Sequence, residues 1–457
     1  MREADIRRLR ETDAAHVWHP FTQMHGYQDE QPLVIERGEG NYLVDVEGRR
    51  YFDGVSSLWA NLHGHCRPEI NRAISRQLEK IAHSTLLGHA NVPSIELARR
   101  LVGCAPAGLN HVFYSDSGSE AMEIALKIAF AYWRHKGEAG RTKFVGIAEG
   151  YHGDTVGSVS VGGIDLFHAM FRPLLFETFH VPAPNCYRCP LGASRKSCDL
   201  ACLAEAEKVI RLHAPEIAAV CAEPVFLAAG GMIMQPDGYL AGLRKAARNA
   251  GVLFIADEVA VGFGRTGRMF GCSHEKVEPD ILACAKGLSG GYLPLAATLV
   301  TDEVYGAFLG GYADRRTFYH GHTYTGNQLA CAAALASLDI FNADEVIEGV
   351  RTKSRRFIER LDRHVRRLWH VGDVRVKGLF GGVELVRDRE TKEPYPFESR
   401  TGHQVCLAAR RRGVFLRPLG DVLPLVPPLS STQEDLDLLV AVLADSIREV
   451  TEGDQPF

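Results

Sequence analysis

The chain has 457 residues, 46% hydrophobic and 24% charged, with a formal net charge of −4. That near balance argues against a nucleic-acid footprint, and the longest apolar run, Ile217 to Met234, is broken by Glu223, Pro224 and glycines, so no membrane span is expected. The length exceeds one typical core, and two domains are expected.

Met1 to Arg10 is charged and has no apolar h-region, so nothing there reads as a secretory signal and a cytoplasmic location is expected. Short strand-like pieces follow at Leu33 to Ile35 and Tyr42 to Val46. Strand and helix patterns then alternate, with strands near His111, Lys143, Ala218, Val252, Ile281 and Leu295 and helical stretches such as Cys202 to His213 and Asp237 to Asn249. Such βαβ alternation predicts a mostly parallel sheet with helices on both faces. After about Ala336 the pattern predicts a helix, strands over Val374 to Val386 and Val414 to Leu425, and a last helix. The expected architecture is α/β: a large domain over 67–335 and a smaller α+β domain built from 1–66 and 336–457.

Candidate chemistry sits at the strand ends. Ser115-Asp116-Ser117-Gly118-Ser119-Glu120 follows a strand and opens a long apolar helix. Small residues there expose backbone N–H groups where a phosphate is held, although an ordinary helix cap has the same composition. Tyr151, in Glu149-Gly150-Tyr151-His152-Gly153-Asp154, places a ring after the next strand, either to stack on a flat cofactor or as a half-buried strand-end tyrosine. The apolar strand Gly251 to Val259 contains the carboxylate pair Asp257-Glu258. Lys286 ends the apolar run Ile281 to Ala285, where lost hydration makes it less basic and a candidate Schiff-base amine; alone, a strand-end lysine is more often a solvated surface group. A carboxylate for a pyridinium nitrogen and a lysine for an aldehyde are the contacts pyridoxal phosphate requires.

Eleven cysteines in so long a chain do not form a disulfide framework. Cys186, Cys189, Cys198 and Cys202 do cluster, with spacing that suits zinc or an iron–sulfur centre, or simply reduced structural thiols. The second reading is taken, and no metal is expected among the site residues.

The run Asp257 to Gly267, then Lys286-Gly287, then Gly321-His322-Thr323-Tyr324-Thr325-Gly326-Asn327, resembles the class III pyridoxal-phosphate aminotransferases over nearly the whole chain. The resemblance implies the fold-type I architecture, pyridoxal 5'-phosphate as cofactor and a homodimer with shared active sites. Ser117, Gly118 and Ser119 would cradle the phosphate, joined by Thr323 of the neighbouring subunit; local pattern alone also fits Thr323 as a plain loop residue. Lys286, Asp257 and Tyr151 would then be the catalytic residues.

Within the family, Trp18 to Met24, Ser56 to His65, Tyr151 to Asp154 and Leu416 to Gly420 resemble the branch that aminates 8-amino-7-oxononanoate in biotin biosynthesis. That likeness implies Phe21, Leu58, Trp59, Tyr151, Asp154, Gly321, His322 and Arg417 as substrate-binding residues, with Arg417 suited to a bidentate grip on a carboxylate. Relatives acting on ornithine or ω-amino acids often pair that arginine with a glutamate, where this chain has alanine in Ala228-Ala229-Gly230-Gly231. The common form of the branch takes its amino group from S-adenosylmethionine. Phe21, Leu58 and His322 instead resemble a minor form that uses L-lysine. The remaining alternatives are a class III ω-amino-acid or diamine transaminase and, remotely, an NAD-dependent dehydrogenase. Gly262-Phe-Gly264-Arg-Thr-Gly267 matches the dinucleotide fingerprint but is followed by a polar stretch and a strand ending in lysine.

Overall fold

Along the strand Leu253–Asp257, Leu253 and Ile255 enter one apolar cluster while Phe254 and Ala256 enter another. That two-residue period is the mark of a strand covered on both faces. The computed structural model describes residues 1–27, 29–30 and 32–453. It places this strand at the centre of a seven-stranded sheet ordered Leu109–Ser115, Ala296–Thr301, Ile281–Cys284, Leu253–Asp257, Ile217–Ala222, Lys143–Ile147 and Thr178–Val181. Only Ala296–Thr301 runs antiparallel to its neighbours.

Helix Gly118–His135 covers one face with Ala121, Met122, Ala125, Leu126 and Ala129. It starts where Ser117 and Glu120 form a reciprocal capping box. Helices Ala201–His213 and Tyr239–Asn249 cover the opposite face through Ala206, Ile210, Leu240 and Leu243. Fully burying each large aliphatic side chain contributes roughly 1.5–3 kcal/mol, so the two clusters hold the strand ends in fixed register.

Strands from both ends of the chain share a second sheet, in which Val414–Phe415 pairs in parallel with Arg50–Asp53, beside Tyr42–Asp45 and Ile35–Glu39. A third sheet holds Val371–Lys377, Phe380–Leu385 and Val422–Leu425.

Several expected boundaries shift. The span Val374 to Val386 is an antiparallel hairpin rather than one strand. Val414 to Leu425 divides between two sheets, because Pro418 and Gly420 interrupt a run that otherwise reads as continuous. The first strand begins at Ile35 rather than Leu33, and Arg50–Asp53 is an additional strand. Two helices, Gln328–Ala343 and Val346–His364, stand where one was expected, and Thr401–Arg411 is a further one.

Candidate active site

The carboxyl ends of five strands of the seven-stranded sheet open on the same side. Ser115 leads to Ser117–Ser119, Ile147 to Tyr151–Asp154, Ala222 to Glu223, Cys284 to Lys286, and Leu253–Asp257 ends on its own carboxylate. This edge of a parallel sheet is where open α/β folds bind ligands.

Asp257 pairs in register with Ala283, so its carboxylate stands one strand away from Lys286, three residues further along. Lys286 has left-handed backbone (φ 46°) at the start of a single 3-10 turn. Its Nζ lies 4.9 Å from the centre of the Trp59 ring. Burial pulls the Lys286 pKa down, and the nearby carboxylates of Asp257 and Glu223 oppose the shift without cancelling it. The amine is thus less basic than a surface lysine, as the apolar run before it predicts.

Behind Asp257 lies His152, whose Nδ1 is 2.7 Å from Asp257 Oδ2, both side chains buried. Facing a carboxylate, Nδ1 is the ring nitrogen that carries the hydrogen. Burial alone would lower the His152 pKa, but the hydrogen bond to Asp257 reverses it and the pKa is raised. The other oxygen, Asp257 Oδ1, accepts from the Val259 N–H at 3.0 Å. Glu223 accepts from the N–H groups of Tyr151 and Ala228, each at 3.0 Å, and burial pushes its pKa up to about 7.

Across the opening, the capping box of helix Gly118–His135 occupies the N–H groups of Asp116, Ser117 and Glu120. Gly118 and Ser119, the first two helical residues, keep N–H groups without an intrahelical acceptor at the positive end of the helix. A Cβ on Gly118 would lie 2.6 Å from Val259 Cγ1, so only glycine brings this helix start so close to the segment after Asp257.

The outer wall comes from the ends of the chain. Ser56, Ser57, Leu58 and Trp59 have consecutive positive φ angles of 49°, 47°, 72° and 68°, a left-handed turn costly for any L-residue other than glycine. Asp53 accepts from Ser57 N–H at 2.9 Å and Ser57 Oγ at 2.8 Å. Arg265, fully buried, donates to Ser56 Oγ, Pro427 O and Asn61 O at 3.2, 2.8 and 3.0 Å. This clamp buries Trp59 (6% exposed) and leaves Leu58 outward (51%). Phe21, also exposed (57%), packs edge-on to Phe167 at 5.3 Å. The Arg417 guanidinium stands 5.9 Å from the Phe21 ring, and the Tyr151 hydroxyl donates to Asp154 at 2.7 Å. Burial lowers the Arg417 pKa while neighbouring Tyr151 raises it. Among the described residues Arg417 has no ion pair and no hydrogen bond.

Lys286, Asp257, Tyr151, Asp154, Trp59, Ser117, Gly118 and Ser119 are thus brought to one opening, with Phe21, Leu58 and Arg417 along its outer wall. His322 lies beside Asp116 and Glu120 at the helix start. Gly321 and Thr323 are exposed on the same segment. His152, Glu223 and Arg265 were not singled out by sequence reasoning as site residues. For His152 the available signal was a histidine between Gly150 and Gly153 in a strand-end turn; for Glu223 and Arg265 nothing local betrays the burial.

An amine of lowered basicity beside a buried acid, facing a helix start with free N–H groups, suits a flat aldehyde that carries a phosphate. Fold and site together define a pyridoxal-phosphate transaminase. The chain belongs to the class-III aminotransferase family, whose profile matches residues 24–447. It is 56% identical to the adenosylmethionine-8-amino-7-oxononanoate aminotransferase of Nitratidesulfovibrio vulgaris, over 97% of this chain and 82% of the relative. The crystal structure of the Methanocaldococcus jannaschii adenosylmethionine-8-amino-7-oxononanoate aminotransferase superposes with a TM-score of 0.93 at 49% identity, covering 98% of this chain and 100% of that one. A thermostable (S)-enantioselective omega-transaminase from Thermomicrobium roseum superposes with a TM-score of 0.92 at 38% identity, covering 97% and 98%. No described helix is long and apolar enough to cross a membrane.

Proposed function

We propose that this aminotransferase delivers an amino group to the ketone of 8-amino-7-oxononanoate, giving 7,8-diaminononanoate. Arg417 carries the reading: an arginine without an acidic partner among the described residues, at the edge of the opening that holds Lys286, is a ready grip for a carboxylate. The acceptor bears a carboxylate at one end and a ketone near the other, joined by an aliphatic chain. Phe21, Leu58 and Trp59 offer that chain apolar surface. The activity for which the N. vulgaris and M. jannaschii relatives are named supports the same acceptor.

Lys286 would hold the cofactor's aldehyde carbon and Asp257 its ring nitrogen. Tyr151 would lie against the ring, and Ser117 with the Gly118 and Ser119 N–H groups would take the phosphate. Thr323 of a second copy would complete that cradle, which makes the working unit a homodimer. Pyridoxal phosphate, when bound, supplies an electron sink that lets the carbon bearing the donor's amine lose a proton. Once the donor's amine has displaced Lys286 from the aldehyde carbon, the freed Nζ would take that proton and return it, a role its lowered basicity favours. His152 fixes the Asp257 carboxylate from behind, and Trp59 shields Nζ from water.

For the donor, Phe21 and Leu58 favour L-lysine, since they offer a bulky cationic nucleoside neither a phenol nor an indole. The relatives' names, which specify adenosylmethionine, support the other donor. Single turnovers separate the readings. The holoenzyme is mixed with L-lysine or S-adenosylmethionine while the cofactor's visible band is followed, and 8-amino-7-oxononanoate is then added. Loss of the band with a donor and its return with the acceptor is expected. If the acceptor fails to restore the band, the acceptor reading falls, and an ω-amino-acid or diamine transaminase replaces it.

A further inference from the structure

Glu223 is a buried carboxylate to which the transamination chemistry assigns no task, beside one that has a task. Ala222 pairs with Ala256, so Glu223 and Asp257 leave neighbouring parallel strands side by side. Among the described residues Glu223 has no ion pair. A carboxylate that leaves water without a cation costs stability, and here two hydrogen-bonded oxygens are its compensation.

Those oxygens join two loops. Oε1 accepts from the Tyr151 N–H and Oε2 from the Ala228 N–H, each at 3.0 Å. Tyr151 belongs to the turn after Lys143–Ile147, and Ala228 opens the tip of the short hairpin formed by Phe226–Leu227 and Ile233–Met234. A Cβ on Gly230, at that tip, would lie 2.1 Å from Glu149 O, so the hairpin backbone rests directly on the residue two before Tyr151. Glu223 O in turn accepts from Nε2 of the buried Gln235 at 2.6 Å, which fixes Glu223 itself. The Tyr151 hydroxyl is directed by Asp154, so the backbone anchor of the ring is left to Glu223.

The hairpin tip is secured from the C-terminal part of the chain. Buried Arg375 donates from Nε to Met232 O at 2.9 Å and from Nη2 to Gly231 O at 2.7 Å, while Nη1 meets Glu384 Oε2 at 2.6 Å. A planar fork held by its own carboxylate reaches two successive carbonyls at once, which the point charge of a lysine does not. Arg375, the hairpin tip, Glu223 and Tyr151 thus form one continuous series of hydrogen bonds that ends at the opening.

We propose that Glu223 is a positioning residue for transamination: by holding the Tyr151 and Ala228 N–H groups together it fixes the Tyr151 ring against the cofactor, with Arg375 securing the hairpin. The inference rests on the reading that Tyr151 lies against the cofactor ring.

The test is a double-mutant cycle read by the Kd for pyridoxal phosphate and by the visible circular dichroism of the bound cofactor. Because burial pushes the Glu223 pKa up to about 7, glutamine differs from it at neutral pH chiefly in offering one acceptor oxygen where Glu223 offers two. In Glu223→Gln the Kd should rise about 5- to 100-fold, the range that loss of one buried hydrogen bond converts to, and the dichroism should weaken. In a Tyr151→Ala background the same change should alter Kd less than about 2-fold. Equal losses in both backgrounds overturn the proposal and make Glu223 an electrostatic partner of Lys286 instead, and no loss in either overturns it outright. A Tyr151→Ala variant with wild-type Kd and dichroism removes the reading of Tyr151, and the proposal with it; a Tyr151→Ala variant that loses both while Glu223→Gln loses neither removes the proposal alone. If Glu223→Gln does not fold, Arg375→Lys takes its place, keeping a charge beside Glu384 without the fork. Its Kd should rise about 3- to 10-fold with Tyr151 present and stay within about 2-fold without it, and an unchanged Kd overturns the proposal. Neither readout depends on which amine or ketone the enzyme accepts.

Discussion

His152 Nδ1 and Asp257 Oδ2 are 2.7 Å apart, and both side chains are buried below the site. The pair gives the carboxylate one fixed direction, toward the opening that contains Lys286. Removing the imidazole leaves a buried carboxylate without its main partner, which costs about 3 kcal/mol where buried pairs have been broken. His152→Phe should therefore lower apoenzyme stability by that order in urea unfolding. The sign with pH follows from the raised His152 pKa: the pair's contribution is complete below the ordinary value of 6.5 and is lost as pH rises through the higher folded value. The wild-type advantage over the variant should thus be larger at about pH 6 than at about pH 9. A constant difference would show that the histidine acts only as a space filler.

Glu258, next in sequence, has a different task. It is fully buried, and its two oxygens accept from the Gly271 and Cys272 N–H groups at 2.7 Å each. Burial pushes its pKa up to about 7, against the pull of those donors. A raised folded pKa means the folded state holds a proton that the unfolded chain has released, so stability falls as pH rises from 4.5 toward 7. Glu258→Gln loses one acceptor, about 1 kcal/mol, but cannot ionise. The variant should be the less stable protein in acid and should close the gap by about pH 8. Parallel stability curves would contradict this.

Gly153 has φ 116°, and a Cβ there would collide with the Ser119 hydroxyl. Both the backbone and the space require glycine. Because Ser119 opens the helix at the proposed phosphate cradle, Gly153→Ala should weaken pyridoxal-phosphate affinity more than it lowers global stability. Cofactor titration of the apoenzyme beside a melting curve measures both. Unchanged affinity would move the phosphate away from Ser119.

Arg417→Met should raise KM for the carboxylate-bearing acceptor by about 10- to 100-fold, the loss of one charge-assisted hydrogen-bonded grip. Arg417→Lys should recover part of it, since a point charge replaces a planar fork. Turnover at saturating acceptor should change much less. A fall confined to kcat would place Arg417 in support of the fold rather than against substrate.

The placement of the strand-end residues was legible because it is local. An apolar run that ends in Lys286, another that ends in Asp257, and small residues before a long apolar helix each announce their surroundings within a few residues. The sheet was legible for the same reason: alternating strand and helix patterns determine a parallel core. What lay beyond reach depends on distant partners. Nothing near Arg265 indicates that Ser56, Asn61 and Pro427 enclose it, and nothing in Ser56-Ser57-Leu58-Trp59 signals four left-handed residues in succession. The division of Val414 to Leu425 between two sheets likewise reflects pairing with Arg50–Asp53 and Phe380–Leu385, hundreds of residues and tens of residues away.

The proposed donor preference for L-lysine makes a prediction at that left-handed turn. With Trp59 buried over Lys286, the turn sends Leu58 outward, and Phe21 forms exposed apolar wall beside Arg417. A Leu58→Trp/Phe21→Tyr double variant adds an indole face and a hydroxyl to the outer wall, and stacking of a cationic donor on such a ring is worth about 0.5–2 kcal/mol. In single turnovers the variant should gain about 2- to 30-fold for S-adenosylmethionine relative to L-lysine, the fold-change that this energy converts to. The clamp formed by Arg265 and Asp53 is untouched, so the variant should melt close to the wild type. A preference that stays fixed while both proteins fold equally well would show that neither position reads the donor, and the case for L-lysine would lose its structural basis.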